Sequence, residues 1–152
     1  MSNKIRAYIS HPIRGKYMEN ATNEQMQENL KRASDFGKLL SQEFPTIDFY
    51  VPADYDEFIL IAYRKGYITE EQILSVDCDI VSKCNFLLVF APENYTSKGM
   101  NIEIDHAISN NIPVISIVDG DYDEFKVEAG IADEYTTRII HAINCYLVGM
   151  MK

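Results

Sequence analysis

The chain is poor in basic residues. Fourteen Lys and Arg stand against 23 Asp and Glu, a formal net charge of −9. Nucleic-acid polymers are bound largely by neutralising phosphates with a basic face, and this sequence has no basic stripe to offer one. A small anion remains a possible partner, because a helix N-terminus and one arginine hold a phosphate whatever the total charge. Cysteine is scarce as well. Cys78, Cys84 and Cys145 are an odd number without CxxC spacing, which supports neither a disulfide framework nor a zinc site and reads as reduced thiols. His11, His106 and His141 lack metal-ligand spacing, so neither a metal nor a redox cofactor is expected. Long apolar runs are missing too. The longest, residues 86–92 and 112–118, fall far short of the ~20 residues a membrane-spanning helix needs, and the opening MSNKIRAYIS carries no apolar signal segment. The expectation is a cytoplasmic protein with no membrane partner.

What is present is the composition of an ordinary globular domain, 47% hydrophobic and 24% charged. Its 152 residues suffice for one domain with a sizeable core and not for two of full size. Residues 5–9 are short and apolar and stop at Ser10-His11-Pro12, as a strand feeding a loop does. Residues 22–43 place Met26, Leu30, Ala33, Phe36, Leu39 and Leu40 at helical spacing, and Pro45 closes that helix. A second strand is predicted over 48–51 and a short helix over 56–65. Thr69 to Gln72 form a capping box, so a helix runs from there to about Lys83. The unbroken apolar run 85–90 has the pattern of a strand buried on both faces of a parallel sheet. A helix over 97–110, a buried strand over 112–118, an acidic loop or rim over 119–130 and a helix over 132–148 complete the chain. Strands alternating with helices imply a single α/β domain, a doubly wound parallel sheet of the flavodoxin or Rossmann kind, with ligands at the carboxyl ends of the strands.

Three segments fall at those ends: residues 8–15, 51–53 and 91–103. In the last, Ser97-Lys98-Gly99 opens a helix, so free backbone N–H groups and the positive end of the dipole face any anion bound there. Glu103 lies about one and a half turns further in, where a carboxylate can share a crevice with the helix start across a sugar. The ten tyrosines are scattered, which speaks for packing and rims rather than a stacking platform.

The ordered set YISHPIRG, VPA, an Asp on the helix before a buried strand, and SxGxxxE followed by Ala107 resembles the nucleoside 2-deoxyribosyltransferase-like superfamily. Within it the chain is most similar to the branch of 2′-deoxynucleoside 5′-monophosphate N-glycosidases. The resemblance spans roughly residues 4–118. It implies that Glu103 is the nucleophile that attacks the anomeric carbon, that Tyr8 holds this carboxylate, and that Asp77 protonates the departing base. Of the two acids on that helix, Asp77 rather than Asp79 has the family's spacing to Asn85. Ser10, Ile13, Arg14 and Gly15, with Ser97 and Gly99, then contact the substrate and its phosphate. Transferases of free nucleosides carry an Asp where this chain has Ser97; a carboxylate there would repel a phosphate that Ser97 and Arg14 can bind. The chain departs from the pattern at His11, Pro12, Asn85, Asn101 and Asp105, and the sequence leaves the base open.

The resemblance therefore implies cleavage, or base-exchange transfer, at the N-glycosidic bond of a deoxynucleotide, a small-molecule partner. Two alternatives stand beside it: a nucleotide-binding protein without turnover, and a glycohydrolase of an NAD-like nucleotide. A homo-oligomer is expected, because the family builds its site at a subunit boundary and the helix over 132–148 carries Ile139, Ile140, Ile143, Tyr146, Leu147 and Val148, an apparent surplus of apolar surface.

Overall fold

The computed structural model describes residues 4–117 and 134–150. Strand β1 (Ile5–Ser10) leads through a 3₁₀ turn at Gly15–Asn20 into helix α1 (Asn23–Glu43), and β2 (Ile47–Tyr50) through a second 3₁₀ turn at Pro52–Tyr55 into α2 (Asp56–Arg64). Then come α3 (Glu70–Val81), β3 (Phe86–Val89), α4 (Lys98–Ser109), β4 (Val114–Ile115) and α5 (Glu134–Met150). The helix starts have local causes. At both α1 and α3 the residue before the helix is a threonine whose hydroxyl accepts from the third backbone N–H, while that residue's glutamine side chain accepts from the threonine N–H: Thr22 with Gln25, Thr69 with Gln72. Ser97 caps α4 in the simpler one-way form.

The four strands are all parallel and lie in the order β2-β1-β3-β4, a flavodoxin-like single α/β domain. From β1 the chain goes out to one side for β2 and then crosses to the other for β3, so the point where the direction reverses lies between the carboxyl ends of β1 and β3. The period-two alternation of the strands divides the core into two layers. Ala7, Ile9, Phe86 and Leu88 face α1 and α5, meeting Ala33, Phe36, Leu40, Ile139 and Ile143. Tyr8, Leu87 and Val89 face α3 and α4, meeting Val81, Met100 and Ala107. Gly37 lets α1 lie close on the sheet, since a Cβ there would come within 2.5 Å of Val51 Cγ2.

The structure departs from the sequence reading at three places. Among the described residues, the strand expected over 112–118 and buried on both faces is a two-residue, half-buried strand that pairs with β3 alone through Leu87↔Val114 and Leu88↔Ile115. It is the outermost strand among the described residues, so only one of its sides is hydrogen-bonded into the sheet. At the opposite end of the run 85–90, Asn85 is not a rung of the strand. Its side-chain oxygen accepts from the Arg6 N–H at 2.8 Å and its own N–H donates to the Arg6 carbonyl at 2.7 Å, at the amino ends of the strands and away from the crevice. Most of the apolar surplus expected on α5 is taken up inside the chain: Ile139 and Ile143 are fully buried, and Ile140, Tyr146 and Leu147 pack against the same core, while Val148 is left exposed. The two most exposed large apolar side chains, Phe58 and Tyr67, lie on and just after α2. The expected loop over 119–130 lies outside the described residues. Among the described residues no helix is long and apolar enough to cross a membrane.

Candidate active site

Residues two apart on a strand share a face. Tyr8 and Ser10 therefore leave β1 on the α4 side, and both meet the buried Glu103. The Tyr8 hydroxyl donates to Glu103 Oε2, and the Ser10 hydroxyl donates to Oε1 at 2.7 Å. Each carboxylate oxygen thus has its own donor, and all three side chains are buried. Two hydroxyl donors favour the ionised carboxylate, yet burial outweighs them and the charge of Asp77 adds to burial, so the Glu103 pKa is pushed up to about 7. The same burial, with the two carboxylates beside it, keeps the Tyr8 phenol protonated and hence a donor at all ordinary pH.

Asp77 reaches this cluster from α3. The approach of the two helices is close because Gly99 sits at the contact, where a Cβ would stand 3.3 Å from Leu74 Cδ2. Asp77 is 9% exposed, and burial pushes its pKa up to about 6. Among the described residues it makes no hydrogen bond and no ion pair. Its carboxylate oxygens are not among the fully buried polar atoms that lack a partner, so they still reach solvent and are open to a ligand. Asp79, two residues on, is exposed.

The loop after β1 is held from two sides. The Asn29 amide donates to the Ile13 carbonyl at 2.9 Å. Gly15 turns the chain at φ +63, where a Cβ would also meet the Asn29 amide at 3.0 Å. Ile13 and Arg14 are left exposed on the outside of that turn. Ser97 accepts from the Met100 N–H at 3.2 Å and keeps its own proton to donate. Tyr8, Ser10 and Glu103 are thus in direct contact with Asp77 beside them, whereas Ile13, Arg14, Gly15, Ser97 and Gly99 make no contact with that cluster through their side chains. Ser10 has a different task from the one expected. Its buried hydroxyl orients the carboxylate instead of meeting a phosphate. Among the described residues no three His, Cys, Asp or Glu side chains converge as metal ligands would.

Two features escaped the sequence reading. His11 is a structural tie: its Nε2 accepts from the Ala53 N–H at 3.1 Å, which leaves the proton on Nδ1, 3.3 Å from the Pro12 carbonyl. Burial lowers its pKa to about 4, so it joins the two loops as a neutral ring. The other feature is an aromatic tier. Tyr8 stacks with Tyr50 at 5.5 Å between centroids, and Tyr50 with Tyr55 at 5.1 Å. Tyr8 and Tyr50 are partners in the β1–β2 register, a pairing that only the folded sheet reveals.

Fold and site together define a flavodoxin-like α/β domain with two neighbouring buried carboxyl groups, Asp77 and Glu103, both raised in pKa by burial. No family model, curated protein or solved structure matches the chain.

The raised pKa of Glu103 has a consequence for stability. The folded chain holds this proton more tightly than the unfolded chain, whose ordinary value is 4.5. Its contribution is fully present below that value and is lost as pH rises through about 7. Glu103→Gln removes the cost of the buried charge, so the variant should be more stable than the parent at pH 8 by up to roughly 3 kcal/mol, with the advantage shrinking toward pH 5. Thermal unfolding at the two pH values checks this; a difference that does not change with pH would contradict the raised pKa.

Proposed function

We propose that this protein cleaves, or transfers across, the N-glycosidic bond of a 2′-deoxynucleoside 5′-monophosphate. The observation that carries the reading is Glu103, a buried carboxylate gripped on both oxygens by Tyr8 and Ser10, with the unpartnered Asp77 beside it. A surface or merely structural glutamate has no need of such a setting. A nucleophile that must keep one orientation does.

The two carboxyl groups carry pKa values pushed up to about 6 and about 7, so near neutral pH the pair holds roughly one proton between them. A bound nucleotide sorts that proton. The developing positive charge at the anomeric carbon favours an ionised Glu103, and a ring atom of the base favours the proton on Asp77. Glu103 then attacks the anomeric carbon as the bond to the base breaks, and the base departs with the Asp77 proton. The glycosyl-enzyme is resolved by water, which returns a proton to Asp77, or by a second base. Tyr8 and Ser10 hold the carboxylate through both halves. The chain resembles the monophosphate branch of the deoxyribosyltransferase-like superfamily in the same residues, and Ser97 with Arg14 supports the phosphate. A binding protein without turnover would use Arg14 and Ser97 but has no work for a carboxylate held in this way.

Self-association belongs to the same reading. Helix α2 buries none of its own residues, and a nine-residue helix is too short to be stable alone. Phe58 is 79% exposed, and Tyr67, just beyond the helix, is 77% exposed. This face, which follows directly from Tyr55 beside the site, is the surface on which a second copy would close the crevice.

Four measurements test these statements. Incubation with a panel of deoxynucleotides and ribonucleotides, read by chromatography of the released base, should show cleavage of deoxynucleoside monophosphates and little of ribonucleotides. Glu103→Ala should abolish release while nucleotide binding persists, since the carboxylate acts mainly on the transition state; near-parental turnover in that variant would sink the mechanism. Arg14→Ala and Ser97→Ala should each weaken the monophosphate by about 1–3 kcal/mol and leave the matching nucleoside nearly untouched. A preference of the parent for the nucleoside would overturn the branch assignment. Sedimentation at micromolar concentration should show a species larger than the 17.4 kDa chain, and a monomer throughout would refute the association.

A further inference from the structure

The tier of Tyr8, Tyr50 and Tyr55 is oriented by the catalytic cluster itself. Tyr8 is fixed by its bond to Glu103. Tyr50 lies nearly parallel to it, 21° between planes, and Tyr55 lies 12° from Tyr50. Tyr8 and Tyr55 have no ring contact with each other, so Tyr50 stands between them and Tyr55 keeps one open face. Tyr55 is 51% exposed, as the outermost member of such a stack would be.

The hydroxyl of Tyr50 is the second point. The ring is half-buried, and the Arg6 guanidinium lies 5.6 Å from its centroid. The hydroxyl makes no hydrogen bond among the described residues. Its pKa is pushed up to about 12 by burial and by the neighbouring charge of Asp77, so it stays a donor. Two polar groups without partners, the Asp77 carboxyl and the Tyr50 hydroxyl, are thus neighbours at one site.

We infer that Tyr50 and Tyr55 form the recognition surface for the leaving group, a planar heteroaromatic base: the Tyr50 hydroxyl bonds an acceptor beside the atom that Asp77 protonates, and the open face of Tyr55 covers the ring. The inference rests on the glycosidase reading and adds the residues that select the base. Recognition then divides along the substrate. Ser97 and Arg14 serve the phosphate, Glu103 the sugar, and the tyrosine tier the base. A base lacking a second acceptor next to the protonated atom leaves the Tyr50 hydroxyl unpaired and is disfavoured.

The test uses the intact chain and four variants: Tyr50→Phe, which keeps the tier and removes the hydroxyl, Tyr55→Ala, Tyr55→Phe and Glu103→Gln. Base release is followed with deoxynucleoside monophosphates that differ only in the base. Equilibrium binding is measured for the same nucleotides and for 2-deoxyribose 5-phosphate, which lacks the base. Tyr50→Phe should lower kcat/KM about tenfold for bases that present the second acceptor and much less for those that do not. Tyr55→Ala should raise KM for every base, and Tyr55→Phe should be neutral. None of the tyrosine variants should change the affinity for the sugar phosphate, and Glu103→Gln should bind nucleotide without releasing base. Release that proceeds at parental rates in both Tyr50→Phe and Tyr55→Ala overturns this inference alone. Equal weakening of the nucleotide and the sugar phosphate also overturns it, because a structural defect would act on both. If the parent neither binds nor cleaves any nucleotide, the glycosidase reading falls and this inference with it.

Discussion

A buried carboxylate held by two hydroxyls is the constraint around which the carboxyl end of the sheet is organised. Glu103 needs Tyr8 and Ser10 at neighbouring positions of one strand face, which fixes the register of β1 against α4. It needs α4 to begin at Lys98, behind the Ser97 cap, so that its sixth residue reaches the strand ends with its side chain inward. It also needs α3 close enough for Asp77 to enter, which Gly99 permits by presenting no Cβ to Leu74. The burial that makes this charge costly comes from the same side chains that form one layer of the core, Tyr8, Leu87, Val89 and Met100. Stability and the protonation state of the site therefore answer to the same packing.

The two faces of the sheet divide the labour. One layer, between α1, α5 and the sheet, is apolar and closed; even its buried tyrosine, Tyr135, has its hydroxyl bonded into β3 and the start of the following loop, accepting from the Ala91 N–H at 2.8 Å. That contact secures the chain where it leaves β3 for the crevice. The other layer holds the ionisable groups. A fold of this kind can concentrate unsatisfied polar groups at one switch point because the opposite layer is a complete core, and the strands pass rigidity from one face to the other.

Much of this was legible in the sequence, and the parts that were not share a physical reason. Periodicity and capping located α1, α3 and α4 because those signals are local: a threonine followed three residues later by glutamine, or Leu30, Ala33, Phe36 and Leu40 at helical spacing, need no knowledge of the rest of the chain. The run ahead of Phe90 announced a central strand for the same reason. Glu103, Asp77 and Tyr8 stand out in the sequence because their motifs follow a fixed order, and the fold places the three side chains together. Tyr50 could not be found that way, since its neighbour Tyr8 is 42 residues distant in sequence and adjacent only through the β1–β2 register. The sequence offers Ser10 only as a contact to the substrate and its phosphate, because its partner, Glu103, is supplied by a helix 93 residues on. The apolar side chains of α5 are as hydrophobic as expected, and only tertiary packing decides that they face inward while those of α2 do not.

Charge imposes the last constraint. A molecule of formal net charge −9 repels a phosphate monoester at long range, but at physiological ionic strength that field is screened beyond roughly 8 Å. What holds an anion must then be local. Helix α4 has no acidic residue in its first turn, so nothing there offsets the positive end of its dipole or competes for its free N–H groups. Arg14 is exposed and makes no ion pair among the described residues, whereas the nearby Arg32 is engaged by Glu93 at 3.3 Å. On the proposed reading an acidic chain raises selectivity at the expense of affinity: an anion would be retained by meeting the helix start, Ser97 and Arg14 together, and a polyanion would be disfavoured by the net negative charge. The acidity that argues against a nucleic-acid polymer is thus compatible with the proposed single nucleotide, whose one phosphate would meet this spot while its base lay over the tyrosines.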